Sequence, residues 1–248
     1  MNSIVSAGFV LAFGMMPAIA LPSQVVAADA VSPVVLELFT SQGCSSCPPA
    51  DSILDKFSED SDVIPLSFHV DYWDYIGWKD TFASKVTTAR QHAYARSMGQ
   101  RHVYTPQVVV NGRHHVVGSD EGEIRRAVVS AKDKGVSLTS LDLRKDGDSL
   151  KLAVSGAGNG PSEAWLFGLD RQQEVTIRRG ENSGRKLIYS NVVRDVHLLG
   201  RWSGGDRSFE IRPDRISASP RDGYVIIVQA ENHGPVLAAT RYWVKKPQ

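Results

Sequence analysis

The chain has only two cysteines, and their placement limits what it can fold into more than any other feature. Cys44 and Cys47 are two residues apart and follow an apolar run at 34–39, which is typical of a buried strand. Two sulfurs at this spacing can reach each other. A helix that begins here would favour a thiolate through its free N–H groups and its dipole. The spacing is typical of redox pairs and of metal sites.

A helix after the cysteines is predicted by three apolar residues at helical spacing, Ile53, Leu54 and Phe57. Pro48 and Pro49 fit its first turn, where the backbone N–H groups would be free in any case. The cysteines therefore lie at a junction between a strand and a helix.

The first half of the chain predicts a mixed sheet with helices on both faces. Apolar runs and helical periodicity give the order β-α-β-α-β-β-α, and Asn111-Gly112 marks a hairpin between the last two strands. The predicted strands are 34–39, 63–70, 107–110 and 114–117, and the predicted helices are 50–57, 82–98 and 120–131.

From residue 136 onward the pattern changes to short alternating strands separated by turns, which predicts an antiparallel sandwich-like β domain. These strands are expected at 137–143, 150–154, 164–169, 174–178, 187–198, 208–211, 223–229 and 237–244. A chain of 248 residues is long enough for two domains, and we expect them at 31–135 and 136–248.

Residues 1–30 have the character of an export signal. Residues 4–19 are apolar and small, and Ala28-Asp29-Ala30 has the form of a cleavage site, although no basic residue precedes the apolar run. The alternative is a membrane anchor, but the unbroken apolar core is shorter than the roughly 20 residues that a spanning helix needs. We expect a periplasmic or secreted protein that leaves the membrane after cleavage, in a compartment where disulfides persist.

Charge gives no reason to expect a nucleic acid or an anionic membrane as partner. The formal net charge is +1, and lysine and arginine are scattered along the chain. Nothing in the sequence indicates an oligomeric state.

The element order, the Cys-x-x-Cys motif at the first strand–helix junction and Thr105-Pro106 before the third strand together resemble the thioredoxin fold. The segments 36–49, 69–79 and 103–112 are more specifically similar to a bacterial secreted family labelled domain of unknown function 1223. The resemblance implies that Cys44 is the nucleophile, Cys47 the resolving thiol, and Pro106 a cis proline facing the disulfide. Gly43 and the Ser45-Ser46 pair depart from thioredoxin's own pattern.

Thiol–disulfide exchange with protein thiols or disulfides, without metal or organic cofactor, is the function that these features favour. A structural disulfide closing so small a loop would stabilise the fold little. A metal site would need histidine or carboxylate ligands, because the chain has no third cysteine. Two alternatives stay open: a non-catalytic exported binding protein with a persistent disulfide, and soft-metal (copper) handling that would require a histidine such as His69 near the sulfurs.

Other residues are candidates at the same site. Glu37 interrupts the first strand, and it either relays a proton to or from Cys47 or forms an ion pair. Trp73 and Trp78 follow the second strand and either line a substrate groove or cap the core. Thr105 and Pro106 are expected to dock the backbone of the substrate.

Overall fold

The computed structural model describes residues 32–133, 139–158 and 160–245. The predicted export signal at 1–30 lies outside the described residues. In the described parts of the chain, no helix is both long and apolar enough to cross a membrane.

The predicted order β-α-β-α-β-β-α is found in the first half, and strands dominate the second half. The strands are β1 (Val34–Thr40), β2 (Val63–His69), β3 (Gln107–Val110), β4 (His114–Val117), β5 (Thr139–Asp146), β6 (Ser149–Gly156), β7 (Ser162–Thr176), β8 (Lys186–Trp202), β9 (Arg207–Ile211), β10 (Gly223–Ala230) and β11 (Val236–Trp243). The helices are α1 (Pro48–Lys56), α2 (Lys85–Ser97), α3 (Glu121–Lys132) and the short α4 (Pro213–Ile216).

Eight strands form one large mixed sheet in the order β11-β10-β7-β8-β2-β1-β3-β4, and β5, β6 and β9 form a second sheet. β1 runs parallel to β2 and antiparallel to β3. β2 meets β8 at the pair Ser67 and Val192. The large sheet thus continues past the predicted boundary at residue 136. Phe39 of β1 and Phe167 of β7 belong to one hydrophobic cluster, so the two predicted halves share part of their core, although each also has a cluster of its own.

The alternation of side chains along β1 separates the two faces of the sheet. Val34, Leu36 and Leu38 pack with α1 and α3, whereas Val35 and Phe39 pack with Tyr94 of α2. The three-stranded sheet covers the β7–β10 region on the face opposite α2. The two faces of β1 therefore present different chemistry to the helices.

Two predicted strands, 164–169 and 174–178, are parts of the single strand β7. Their separation was wrong because the polar residues between them, such as Arg171 and Gln172, lie on an exposed hairpin that extends beyond the sheet core. β7 and β8 stay paired out to Thr176 and Lys186, so their connecting turn projects towards the start of α1.

Candidate functional site

Cys44 and Cys47 form a disulfide at the junction of β1 and α1, with their Cα atoms 5.4 Å apart. Cys47 is the N-cap of α1, and Cys44 precedes the helix, as a junction between strand and helix requires. Pro48 begins the helix. Cys44 is 2% exposed and Cys47 is fully buried, while Ser45 and Ser46 between them face solvent. The disulfide thus lies just beneath the surface.

Hydroxyl groups surround the sulfur of Cys44. The Thr105 hydroxyl donates to Cys44 Sγ over 3.3 Å, and Ser46 Oγ lies at the same distance from that sulfur. Trp73 Nε1 donates in turn to Thr105 Oγ1 over 2.7 Å. The Thr105–Pro106 peptide bond is cis. The fold thereby brings the loop before β3, the loop after β2 and the cysteine loop to one place.

Trp78 lies at the edge of this group and not at the sulfur. Its Nε1 donates over 2.8 Å to the side-chain oxygen of Gln42, two residues before Cys44. The backbone N–H of Gln42 also donates to the Asp80 carboxylate over 2.8 Å. Trp78 therefore helps to hold the cysteine loop from outside.

Asn182, in the turn between β7 and β8, is a partner of the loop that sequence reasoning missed. Its buried amide donates to the backbone oxygens of Gln42 over 3.0 Å and of Cys44 over 2.9 Å. No local pattern marks this residue, because turns of this kind are usually exposed and rich in asparagine. The second half of the chain thus contributes directly to the geometry of the cysteine loop.

Glu37 lies on the face of β1 that packs against α2, opposite α1 and the cysteines. Arg90 Nε donates to Glu37 Oε2 over 2.5 Å, and Tyr94 donates to Glu37 Oε1 over 2.5 Å. Burial alone would lower the pKa of Arg90, but Glu37 and Tyr94 raise it above its ordinary value. Of the two alternatives for Glu37, the structure contains the ion pair, which is formed with Arg90. The relay hypothesis is not supported, because the sheet separates this carboxylate from Cys47.

Asp51 is the buried carboxyl on the face of the cysteines. It lies four residues after Cys47, on the same side of α1, and its N–H donates to the Cys47 carbonyl over 3.1 Å. Thr40 donates to Asp51 Oδ1 over 2.8 Å, whereas Oδ2 has no partner among the described residues. Burial raises the pKa of Asp51 to about 7, against smaller lowering effects of His69 and Thr40. Its spacing of three from Leu54 is the sequence signal for this burial.

A second group of polar side chains is buried on the same face. His69 Nδ1 lies 2.8 Å from Asp80 Oδ2, and the ring of His69 packs edge-on against Tyr189 of β8. Burial opposes ionisation of Asp80, but the charge and hydrogen bond of His69 hold the pKa of Asp80 below its usual range. His69 Nε2 and the Tyr189 hydroxyl have no partner among the described residues. The end of β2 therefore adds polar, ionisable groups beneath the cysteine loop.

The described residues contain no group of three or more histidine, cysteine, aspartate and glutamate side chains placed to hold an ion. His69, the example of a histidine that the copper alternative needed near the sulfurs, is hydrogen-bonded to Asp80 through Nδ1, and its Nε2 has no partner among the described residues.

A mixed α/β protein with a disulfide at a strand–helix junction is the class that this fold and site define. The chain belongs to the protein family of unknown function DUF1223, whose pattern its residues 35–229 match. A crystal structure of a protein from Agrobacterium tumefaciens is similar to it, with a TM-score of 0.77, 33% identity, and coverage of 89% of this chain and 98% of that one.

HBP35 of Porphyromonas gingivalis resembles the chain in fold alone, with a TM-score of 0.63, 13% identity, and coverage of 86% of this chain and 76% of that one. No curated protein sequence matches this chain.

Proposed function

We propose that this chain is an exported thiol–disulfide oxidoreductase with a thioredoxin-like fold, acting on the thiols or disulfides of other proteins through Cys44 and Cys47. The observation that carries the proposal is the 3.3 Å contact between the Thr105 hydroxyl and Cys44 Sγ, which sets the backbone beside Pro106 against the disulfide. A substrate backbone docked there meets the sulfur of Cys44. The reaction needs no metal or organic cofactor, and export rests on residues 1–30.

The chemistry is a two-step exchange. A thiolate of a reduced partner attacks Cys44 Sγ, so that the bond to Cys47 breaks and Cys47 leaves as a thiolate that takes a proton. The partner's second thiolate then attacks the partner's first sulfur, which is bonded to Cys44 in the mixed disulfide, and Cys44 is released. The partner loses two electrons and two protons, and the cysteine pair gains them. In reverse, Cys44 attacks a partner disulfide and Cys47 resolves the mixed disulfide.

Asp51 is suited to handle the proton of Cys47. A buried carboxyl whose pKa is raised to about 7 can give or take a proton near neutral pH. Asp51 also lines a surface groove of about 390 Å³ between α1 and β8, which offers the proton a way to solvent. In this proposal Asp51 has the role that the sequence analysis gave to Glu37.

The test is a redox titration of the purified mature protein in glutathione buffers, read by mass after alkylation of free thiols. We expect reversible cycling at a potential more negative than about −120 mV, the value of a strong periplasmic oxidase, because the groups around Cys44 are hydroxyls and not cations. The matched Cys47→Ser variant should trap a mixed disulfide at Cys44. Reduction only below about −300 mV would contradict the proposal.

The second candidate function is a non-catalytic exported binding protein with a persistent disulfide. The observation that favours it is the burial of both cysteines, since Cys44 is only 2% exposed. The exposed Ser46 lies beside it, with its Oγ 3.3 Å from Cys44 Sγ. The same titration separates the two functions, because a persistent disulfide stays oxidised at the compartment's poise.

A further inference from the structure

The turn that joins β7 to β8 reaches the cysteine loop and packs against the segment after β2. Besides the hydrogen bonds of Asn182 to the loop, the turn approaches the aromatic segment so closely that a Cβ at Gly180 would lie 3.3 Å from the Ile76 carbonyl oxygen. We call residues 177–186 the basic tip. Its position beside the disulfide makes it the surface that a docked substrate meets first on this side.

The basic tip concentrates positive charge in a chain that is nearly neutral. It carries four exposed cationic side chains and one exposed acid, Glu181, whereas the whole chain has a formal net charge of +1. Lys186 is paired with Glu174 at 2.9 Å. Arg178, Arg179 and Arg185 have no carboxylate partner within residues 32–133, 139–158 and 160–245. Arg185 also donates to Asn182 Oδ1 over 3.0 Å, so part of its guanidinium is already used, whereas the guanidinium groups of Arg178 and Arg179 are available to an outside anion.

The tip also forms one wall of a groove that runs beside the first turn of α1. Arg185, Lys186 and the first residues of β8 line this groove of about 390 Å³ on one side, and Pro48 and Pro49 of α1 line it on the other. Pro48 follows Cys47 directly. The two prolines have no backbone N–H, so they offer an anion no donor at the start of the helix. The attraction for an anion therefore comes from the basic side chains of the tip.

We propose that the basic tip binds acidic side chains that flank the reacting cysteine of a protein substrate. The inference rests on the proposed function, since only a thiol or disulfide partner must come to the adjacent disulfide. Guanidinium groups pair with carboxylates through parallel hydrogen bonds. Charges at the rim of an interface mainly raise the association rate and make it dependent on salt. The tip therefore selects substrates by the charge next to their cysteines.

The experiment compares two dithiol peptides of the same sequence, one with aspartates and one with lysines beside its cysteines. The oxidised full chain should oxidise the acidic peptide about tenfold faster at low salt, and the difference should shrink towards unity at about 0.5 M salt. Arg178→Glu/Arg179→Glu should abolish or reverse the preference. The control is Lys145→Glu/Arg215→Glu, which makes the same change in net charge on exposed residues away from the tip and should retain the preference.

Dithiothreitol, an uncharged dithiol, separates the inference from the proposed function. If dithiothreitol and both peptides fail to reduce the disulfide, the proposed function is wrong. Equal rates for the two peptides, with normal dithiothreitol reduction, would overturn the inference alone, and so would a preference that survives in Arg178→Glu/Arg179→Glu. Binding of the tip to phosphatidylserine vesicles without discrimination between the peptides would assign the arginines to a lipid surface instead.

Discussion

Glu37 and Asp51 are both buried carboxyl groups close to the cysteine loop in the chain, but they lie on opposite faces of the large sheet. Glu37 accepts hydrogen bonds from Arg90 and Tyr94, so its charge has a fixed counter-ion. Asp51 accepts one hydrogen bond from Thr40, and its second oxygen has no partner among the described residues. The difference teaches that burial alone does not make a carboxyl group functional. A carboxyl group becomes available for proton transfer when its charged form is poorly compensated.

The largest loss of stability is expected at Glu37, whose negative charge is fully paired with buried donors. Glu37→Gln leaves the guanidinium of Arg90 buried without a counter-ion and should reduce the free energy of unfolding by about 3–5 kcal/mol. Urea unfolding of the oxidised protein at pH 7 measures it. Glu121→Gln is the control, since it breaks exposed ion pairs to Lys56 and Arg125 and should cost less than about 1 kcal/mol. A loss for Glu37→Gln as small as that of the control would contradict the structural role.

Asp51→Asn should increase the free energy of unfolding near neutral pH, whereas Glu37→Gln reduces it. Because folding raises the pKa of Asp51 from 3.8 to about 7, the folded protein holds this proton more tightly, and stability falls as pH rises between those values. Asparagine removes this penalty and can still accept from Thr40. The variant should therefore be more stable than the wild type at pH 8, by up to about 4 kcal/mol, and similar to it at pH 4.

Unfolding of both proteins from pH 4 to pH 8 measures the difference between them, in which the other titrating groups cancel. A difference that does not change with pH would show that Asp51 ionises normally. It would also remove the argument for Asp51 as the proton carrier, while leaving the exchange of disulfides itself untouched.

The strand and helix around the disulfide could be predicted because each is determined by a short, continuous segment of the sequence. The disulfide between Cys44 and Cys47 and the mixed α/β sheet are confirmed. The continuation of that sheet into β8 could not be predicted, since pairing of Ser67 with Val192 depends on contacts between distant segments. The alternating pattern after residue 136 predicted strands in a separate sandwich-like domain, but it could not show that β7, β8, β10 and β11 join the large sheet while β5, β6 and β9 form a second one.

The candidate site was predictable only in part, for a related reason. Glu37 and Asp51 are both acids within predicted secondary-structure elements, and the sheet face on which each lies decides its partner. The alternation along β1 gives the face of Glu37, but the identity of Arg90 as its partner comes from a helix more than fifty residues away. Asn182 is more distant still and carries no local signal at all.

Asn182→Ala tests whether the cysteine loop, on the same side of the sheet as Asp51, is stabilised by the second half of the chain. The corresponding contact of Glu37 is with Arg90 of α2. The change leaves the carbonyls of Gln42 and Cys44 without the amide and should reduce stability by about 1–3 kcal/mol. Thermal or urea unfolding of the oxidised protein measures it. Ser183→Ala, at the neighbouring exposed position, should change stability by less than about 0.5 kcal/mol. Equal effects of the two variants would mean that the hydrogen bonds of Asn182 to the cysteine loop contribute little to stability.

The smallest effect is expected at the hydroxyl that touches the sulfur. Thr105→Val removes the donor to Cys44 Sγ, and a hydrogen bond to a thiolate is stronger than one to a neutral disulfide. Its loss should disfavour the reduced protein by about 0.5–1.5 kcal/mol, which makes the redox potential more negative by about 10–30 mV.

Trp73→Phe is the matched variant for this test, because it removes the N–H that donates to Thr105 and keeps an aromatic ring, although a smaller one. It should shift the potential in the same direction by less than Thr105→Val, since it acts on the sulfur through an intervening hydroxyl. Glutathione titration of both variants measures the shifts. A shift for Trp73→Phe larger than that for Thr105→Val would mean that the indole acts on the disulfide directly, by covering it, and not through the hydroxyl.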